Sequence, residues 1–254
     1  MNIRAAEFPY RLQRSDIAVS LAAAALFGAG TILEFTHDAP PALPRGSLHA
    51  ADINRFDRSA TRRWAPVVDN LSDYATGAML IAPAAAGIPL LRDRAWMNLA
   101  TLTAMYGEAV VLTLGASAAV KALTHRNRPY LYNTALSDAE FSALAAEGDG
   151  RRSFFSQHTA LAFCSALFLS TTVTDIYGLP KAPTASAVWI ASCAAATAIG
   201  ASRYVAGQHF PTDVIAGAVV GSLAGYGIPL MHRRGNNRLS VEAAGNRLIA
   251  RWRF

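Results

Sequence analysis

Six apolar segments recur along the chain, at 17–36, 75–91, 96–120, 158–178, 185–201 and 212–231, each bounded by charge, proline or glycine. Each is near the roughly 17–25 residues that a helix needs to cross a bilayer. The pattern predicts an all-α fold, a helical bundle with about six transmembrane helices. Runs of small residues such as AAAALFGAG and IAGAVVGSLAG let helices approach closely within lipid. Glu34, Glu108 and Asp175 fall in these segments. A carboxylate facing lipid is costly, so they are expected to point into the bundle or to lie at its rim.

The first segment follows Arg4, Arg11 and Arg14 and so has the charged and apolar regions of a signal peptide. No sharp small-residue cleavage site precedes Glu34, which favours an uncleaved first span. Residues 37–74 form a long polar connection. Within it Ile53, Phe56, Trp64, Val67, Val68 and Leu71 fall at helical spacing among Arg55, Arg58, Arg62 and Arg63. That spacing suits either an amphipathic helix in the membrane interface or an ordinary loop helix packed on the bundle. Residues 137–152 read as a short helix and a glycine-containing turn, placed to cover a site. Beyond residue 231, LSVEAA, a Gly-Asn pair and RLIARWRF alternate and predict a two-strand hairpin. The expected organisation is a membrane domain over 1–231, with its chemistry in 96–231, and a tail over 232–254.

With 52% hydrophobic and 16% charged residues and a mean hydropathy of +0.23, the composition suits several spans. The net charge of +6 does not imply nucleic acid, because the basic residues sit between apolar runs and near the ends rather than along one polar face. Cys164 and Cys193 both lie in apolar segments, where cysteine behaves as a small hydrophobe. A disulfide framework or a cysteine metal cage is therefore not expected.

Three stretches carry the chemistry: Lys121 to Pro129 (KALTHRNRP), Ser153 to His158 (SFFSQH) and Ser202 to Asp213 (SRYVAGQHFPTD). If all six segments cross, alternation alone places the end of the third, the start of the fourth and the turn between the fifth and sixth on one side. Arg4, Arg11, Arg14, Arg92, Arg94, Lys181, Arg233, Arg234 and Arg238 fall on the other side, as the positive-inside rule asks of a cytoplasmic face. The site would then face the periplasm or exterior of a bacterial-type inner membrane.

Ser156 stands before a long apolar helix as a natural N-cap, so its hydroxyl and the following N–H groups define an anion seat. Pro211 suits the first turn of the last helix, leaving His209 just outside it and Asp213 within it. Asp213 is then placed to accept a ring N–H of His209 and leave the other nitrogen free to attack phosphorus. His158 can protonate a leaving oxygen. Lys121, Arg128 and Arg203 would neutralise the oxygens of a phosphoryl group as charge builds.

These residues, in this order and spacing, resemble the type 2 phosphatidic acid phosphatase superfamily, which includes lipid phosphatases, class A acid phosphatases and vanadium haloperoxidases. The resemblance covers roughly residues 96–231. It implies an all-helical bundle with the site at the lipid–water boundary. By resemblance Lys121, Arg128 and Arg203 bind phosphate, and Ser156 with His158 handles phosphate and leaving group. His209 becomes the phosphohistidine and Asp213 orients it. The implied substrate is a phosphorylated lipid in the bilayer, with no cofactor, no metal and no protein partner. Phe155-Ser156-Gln157-His158 departs from the family's Pro-Ser-Gly-His, and Gln157 either crowds the site or supplies a new amide donor. The resemblance leaves open a vanadium-dependent haloperoxidase-like enzyme and a non-catalytic binder of anionic lipid.

His125, Arg126, Arg151 and Arg152 flank the motifs and suit either a second phosphate or a lipid headgroup, or are solvated loop charges. His37, His49 and His232 have no partners at ligand spacing and read as surface residues. Glu108, roughly 20 Å along a helix from Lys121, reads as a structural partner.

Overall fold

The computed structural model describes residues 8–12, 14–36, 43–179, 183–234, 239–244 and 247–252. Arg4, His37, Lys181, Arg238 and the Gly245–Asn246 pair lie outside the described residues. Among the described residues eight α-helices form: α1 Arg14–Thr36, α2 Pro66–Ile81, α3 Ile88–Arg92, α4 Trp96–Thr124, α5 Asp138–Ala146, α6 Gln157–Ile176, α7 Pro183–Val205 and α8 Pro211–His232. Short 3-10 turns lie at Ala50–Asp52, Arg58–Arg62, Ala82–Gly87, Pro129–Tyr132 and Gly148–Arg151. Strands β1 Leu239–Ala244 and β2 Arg247–Trp252 pair antiparallel, so the tail is the hairpin its alternation predicts. The chain is all-helical in its body.

Among the described residues five helical stretches are long and apolar enough to cross a membrane: Pro66–Arg92, Trp96–Tyr132, Gln157–Ile176, Pro183–Val205 and Pro211–His232. The expected count was about six. The first helix carries only a shorter apolar run, Ser20–Leu33. The second span also starts earlier than its unbroken hydrophobicity suggests. Pro66 opens α2 as a preset first-turn residue, and the span breaks at Ala82–Gly87, where Pro83 cannot donate to a helical ladder. Val67, Val68 and Leu71 therefore belong to α2, and no single amphipathic helix runs through residues 53–71. What precedes α2 is a strap of 3-10 turns, closed onto the bundle by the Ala65 N–H to the Ala206 carbonyl at 3.3 Å.

Helix α6 is the axis of the bundle, in contact with α2, α4, α7 and α8. Its apolar window is 67% buried where those of the other spans are 28–33% buried. Its closest partner is α8, through glycines at one helical face. A Cβ on Gly217 would lie 2.5 Å from the Ser156 carbonyl oxygen, and on Gly221 1.9 Å from that of Ala160. The backbones touch there, and the start of α8 is registered against the start of α6. Gly221→Ala is expected to destabilise the protein by about 1–3 kcal/mol through overpacking, read as a lowered thermal midpoint in detergent. Gly227, with nothing within 4 Å of its added Cβ, is the control position.

At the opposite ends of these helices the N-terminal segment pairs with the exit of α8. Tyr10 bridges to Arg233, the Arg11 N–H reaches the His232 carbonyl at 2.9 Å, and the Arg234 N–H that of Pro9 at 2.8 Å. Asp175 accepts from the Tyr10 hydroxyl at 2.6 Å and from two nitrogens of Arg233 at 2.7 Å. It lies at the rim, as a carboxylate must. Glu108 points inward and stands 3.4 Å from His232. His232 is therefore no surface residue: it is 0% exposed, because α8 turns it toward α4. His49 is exposed. The side chain of Glu34 lies outside the described residues. Cys164 and Cys193 are both free.

Candidate active site

Backbone hydrogen bonds tie the three motif stretches together. The Arg128 N–H binds the Gly150 carbonyl at 2.8 Å and the Ser153 N–H that of Arg126 at 2.9 Å. The Ser156 N–H binds the Asp213 carbonyl at 3.1 Å and the Tyr130 N–H that of Gly207 at 3.1 Å. Gly207 has φ +77°, and a Cβ on it would stand 2.1 Å from the Arg63 carbonyl oxygen. Only glycine admits that conformation and that approach of the strap. Helix α4 ends at His125, a left-handed C-cap with φ 44°, which releases the chain into Arg126-Asn127-Arg128. His125 is exposed there.

Ser156 is the N-cap of α6, accepting from the Thr159 N–H at 3.4 Å and the Thr159 hydroxyl at 2.8 Å. Gln157 and His158 are the first residues of that helix. Pro211 opens α8, and Asp213 in its first turn accepts from the Phe210 N–H at 2.9 Å. His209 sits in the turn before it, 1% exposed.

His209 is held differently from the sequence expectation. Its Nδ1 lies 2.8 Å from the Ser153 carbonyl oxygen, while Asp213 Oδ2 stands 3.8 Å away, beyond hydrogen-bond distance. A carbonyl only accepts, so Nδ1 carries the proton and Nε2 is left as the basic nitrogen. Asp213 acts one step back: it accepts from the Ser153 hydroxyl at 2.5 Å and so fixes the residue whose carbonyl orients the ring. Carboxylate and imidazole are coupled through Ser153.

Arg126, expected to reach a second phosphate or solvent, is committed elsewhere. Its guanidinium binds Asp213, Thr212 Oγ1 at 2.8 Å and Asp57 Oδ2 at 2.8 Å, and lies 4.2 Å over the Phe210 ring. Asp57 and Asp213 are both 0% exposed. Burial works against the Asp57 carboxylate, but hydrogen bonds from Thr212, Asn54 and Arg126 outweigh it and hold its carboxyl below the usual range.

Three further cations come from α4, the loop after it and the end of α7. Lys121 Nζ on α4 lies 3.5 Å from Gln157 Oε1, which also accepts from Ser117 Oγ at 3.1 Å. Arg128 binds Gln208 Oε1 and the Asp149 carboxylate, with Nε to the Asp149 carbonyl at 3.0 Å. Arg203 at the end of α7 binds Asp69 Oδ1 at 2.5 Å, Ser72 Oγ at 2.6 Å and Asp73 Oδ1 at 3.3 Å. His158 Nε2 lies 2.8 Å from the same Asp73 oxygen. His209 feels them all. Burial, then the charges of Arg128, Arg203 and Lys121, pull its pKa well below the usual 6.5, so the ring is neutral.

Asp57, Asp69, Asp73, Asp149 and Gln208 were not legible as site residues. Asp69 and Asp73 are four apart on α2, a spacing that puts both on one face, but they precede the apolar run and fall in the polar connection over 37–74. Asp57 sits among Arg55, Arg58, Arg62 and Arg63 and outside the three motif stretches. Arg151 and Arg152 close the 3-10 turn carrying Asp149, half-buried rather than free in solvent.

This arrangement offers a neutral imidazole in the field of three cations, and a second imidazole that shares the Asp73 carboxylate oxygen with one of them. Among functionally curated proteins none matches the chain. A crystal structure described as the first transmembrane PAP2 type phosphatidylglycerolphosphate phosphatase, from Bacillus subtilis, is similar at 20% identity. The similarity covers 81% of this chain and 93% of that one, with a TM-score of 0.46. The sequence profile of the PAP2 superfamily matches residues 100–236, more than half of the chain and all three motif stretches. With five helices apolar enough to span a bilayer, the chain belongs to the PAP2 superfamily, as a multi-pass membrane member.

Proposed function

We propose that the protein is a membrane lipid phosphatase that cleaves a phosphomonoester or pyrophosphate of a lipid through a phosphohistidine. The observation that carries this reading is the state of His209: buried, its Nδ1–H donated to the Ser153 carbonyl, its Nε2 left basic, and its ring within the field of Arg128, Arg203 and Lys121. A neutral, oriented imidazole among cations is a nucleophile aimed at a phosphoryl group. Its Nε2 attacks phosphorus, the P–O bond to the lipid breaks, and His158 gives its proton to the departing oxygen. Water then attacks the phosphohistidine while His158 takes a proton from it, which returns both histidines and yields inorganic phosphate. Lys121, Arg128, Arg203 and the Ser156 end of α6 hold the phosphoryl oxygens, and Asp213 keeps Ser153 and thus His209 in place. Every group in this scheme belongs to the chain, so activity in EDTA is expected.

A lipid substrate is favoured by the surroundings. Between α2 and α7 runs an open groove of about 570 Å³ walled by Val68, Leu71, Ala75, Met79, Ala198 and Ile199. Its upper wall includes Ser72, the residue that binds Arg203. A phosphate at Arg203 would thus have an acyl-sized apolar path beside it. Candidate substrates are phosphatidic acid, phosphatidylglycerol phosphate, undecaprenyl pyrophosphate and phosphorylated lipid A. The distribution of arginines suits a bacterial-type inner membrane with the site facing the periplasm or exterior.

Phosphate release by the detergent-purified protein in EDTA, from a panel of these four lipids, tests the reading. Release from at least one is expected, and release from none would overturn it. The pH dependence gives a second check. Because the His209 pKa is lowered from 6.5, its neutral form persists as pH falls through 6.5. The acid limb of kcat/KM, which reports groups of the free enzyme, is expected below 6.5.

A further inference from the structure

We propose that Asp73 on α2 is an internal competitor for the substrate's phosphoryl group and thereby sets the affinity of the site for it. One oxygen, Oδ1, reaches His158 Nε2 at 2.8 Å and Arg203 Nη1 at 3.3 Å. Under the phosphatase reading, on which this inference rests, those two groups must meet substrate oxygens. In this structure a carboxylate oxygen of Asp73 stands against both. An anion seat filled by an internal anion is weaker by the work of displacing it.

The neighbouring carboxylates differ in a way that singles Asp73 out. Asp69, one turn earlier on the same face, is held by Arg203 at 2.5 Å and by Gln208 Nε2 at 2.7 Å, and its side chain is 24% exposed. Asp73 has a side chain 55% exposed and the longer bond to Arg203, so it can swing outward. Arg203 would still keep Asp69 and Ser72, and its guanidinium stays oriented when Asp73 leaves. His158 Nε2, 2.8 Å from the carboxylate oxygen, would then face the leaving oxygen instead. The residue lies outside all three motif stretches.

The test is direct binding of orthovanadate and of inorganic phosphate to the full-length protein in detergent at constant pH, for wild type, Asp73→Asn and Asp73→Ser. Kinetics on a lipid phosphate are run in parallel. Removing the charge of a half-exposed carboxylate is expected to tighten anion binding about three- to tenfold, with KM lowered and product inhibition strengthened. Unchanged or weaker anion binding in both variants would overturn the inference, even where lipid phosphate is turned over normally. Tighter anion binding in the variants, with no lipid phosphate released by wild type, would uphold Asp73 as the competitor and overturn the phosphatase reading instead.

Discussion

Replacing His209 by alanine removes phosphate release, lowering kcat/KM by at least about 10³-fold. The side chain belongs to the turn before α8, and its Nδ1 bonds only the Ser153 carbonyl among the hydrogen bonds seen. The helices should therefore assemble without it, and a thermal midpoint in detergent close to that of wild type accompanies the lost activity. Retention of activity within tenfold would mean that another group attacks phosphorus. The size of the effect follows from the role: a nucleophile is present in every turnover, whereas each cation shares its charge with neighbours.

Arg126→Ala is expected to be the most destabilising single change at this end of the molecule, by about 3–5 kcal/mol. Arg126 stands between Asp57 and Asp213, both fully buried, and binds each. Without it two carboxylates remain in a dry site, facing each other across the strap and the first turn of α8. Asp57 also accepts from the Thr212 N–H at 3.0 Å and hydroxyl at 2.7 Å, so the strap is pinned to α8 through the same cluster. The loss appears as a lower unfolding midpoint in detergent together with reduced activity, because Asp213 also fixes Ser153. Arg126→Lys keeps one charge but cannot fork to two carboxylates, and an intermediate midpoint is expected. A midpoint unchanged in Arg126→Ala would show that the buried acids find other partners.

The architecture was legible where a single signal decided it. Apolar length marked α4, α6, α7 and α8 within a few residues, and alternation across the bilayer brought Lys121, Arg128, Ser156, His158, Arg203 and His209 to one end. Capping chemistry at Ser156 and Pro211 placed the starts of α6 and α8. The site's second layer was hidden because it depends on tertiary contacts. The first turns of α2 are amphipathic, so hydropathy alone began that span too late and left Asp69 and Asp73 in the polar connection before it. Asp57 and Arg126 are each ordinary in sequence and become a buried pair only when the strap folds over α8. The His209 geometry differs for a similar reason. The spacing of four allows an Asp213 contact, but the entry of α6 carries the Ser153 carbonyl closer to the ring than the carboxylate. His232 shows the reverse error: a histidine at a helix end looked exposed, and α8 turns it inward against Glu108 of α4.

The central claim is that His209 itself carries the phosphoryl group during turnover. The most direct test is to quench the protein with base during hydrolysis of a lipid phosphate that it turns over and to locate the phosphoryl group by peptide mass spectrometry. The account predicts a base-stable, acid-labile phosphoryl group on the peptide containing His209, and its absence from His209→Ala. Continued turnover with the phosphoryl group on another residue would contradict it.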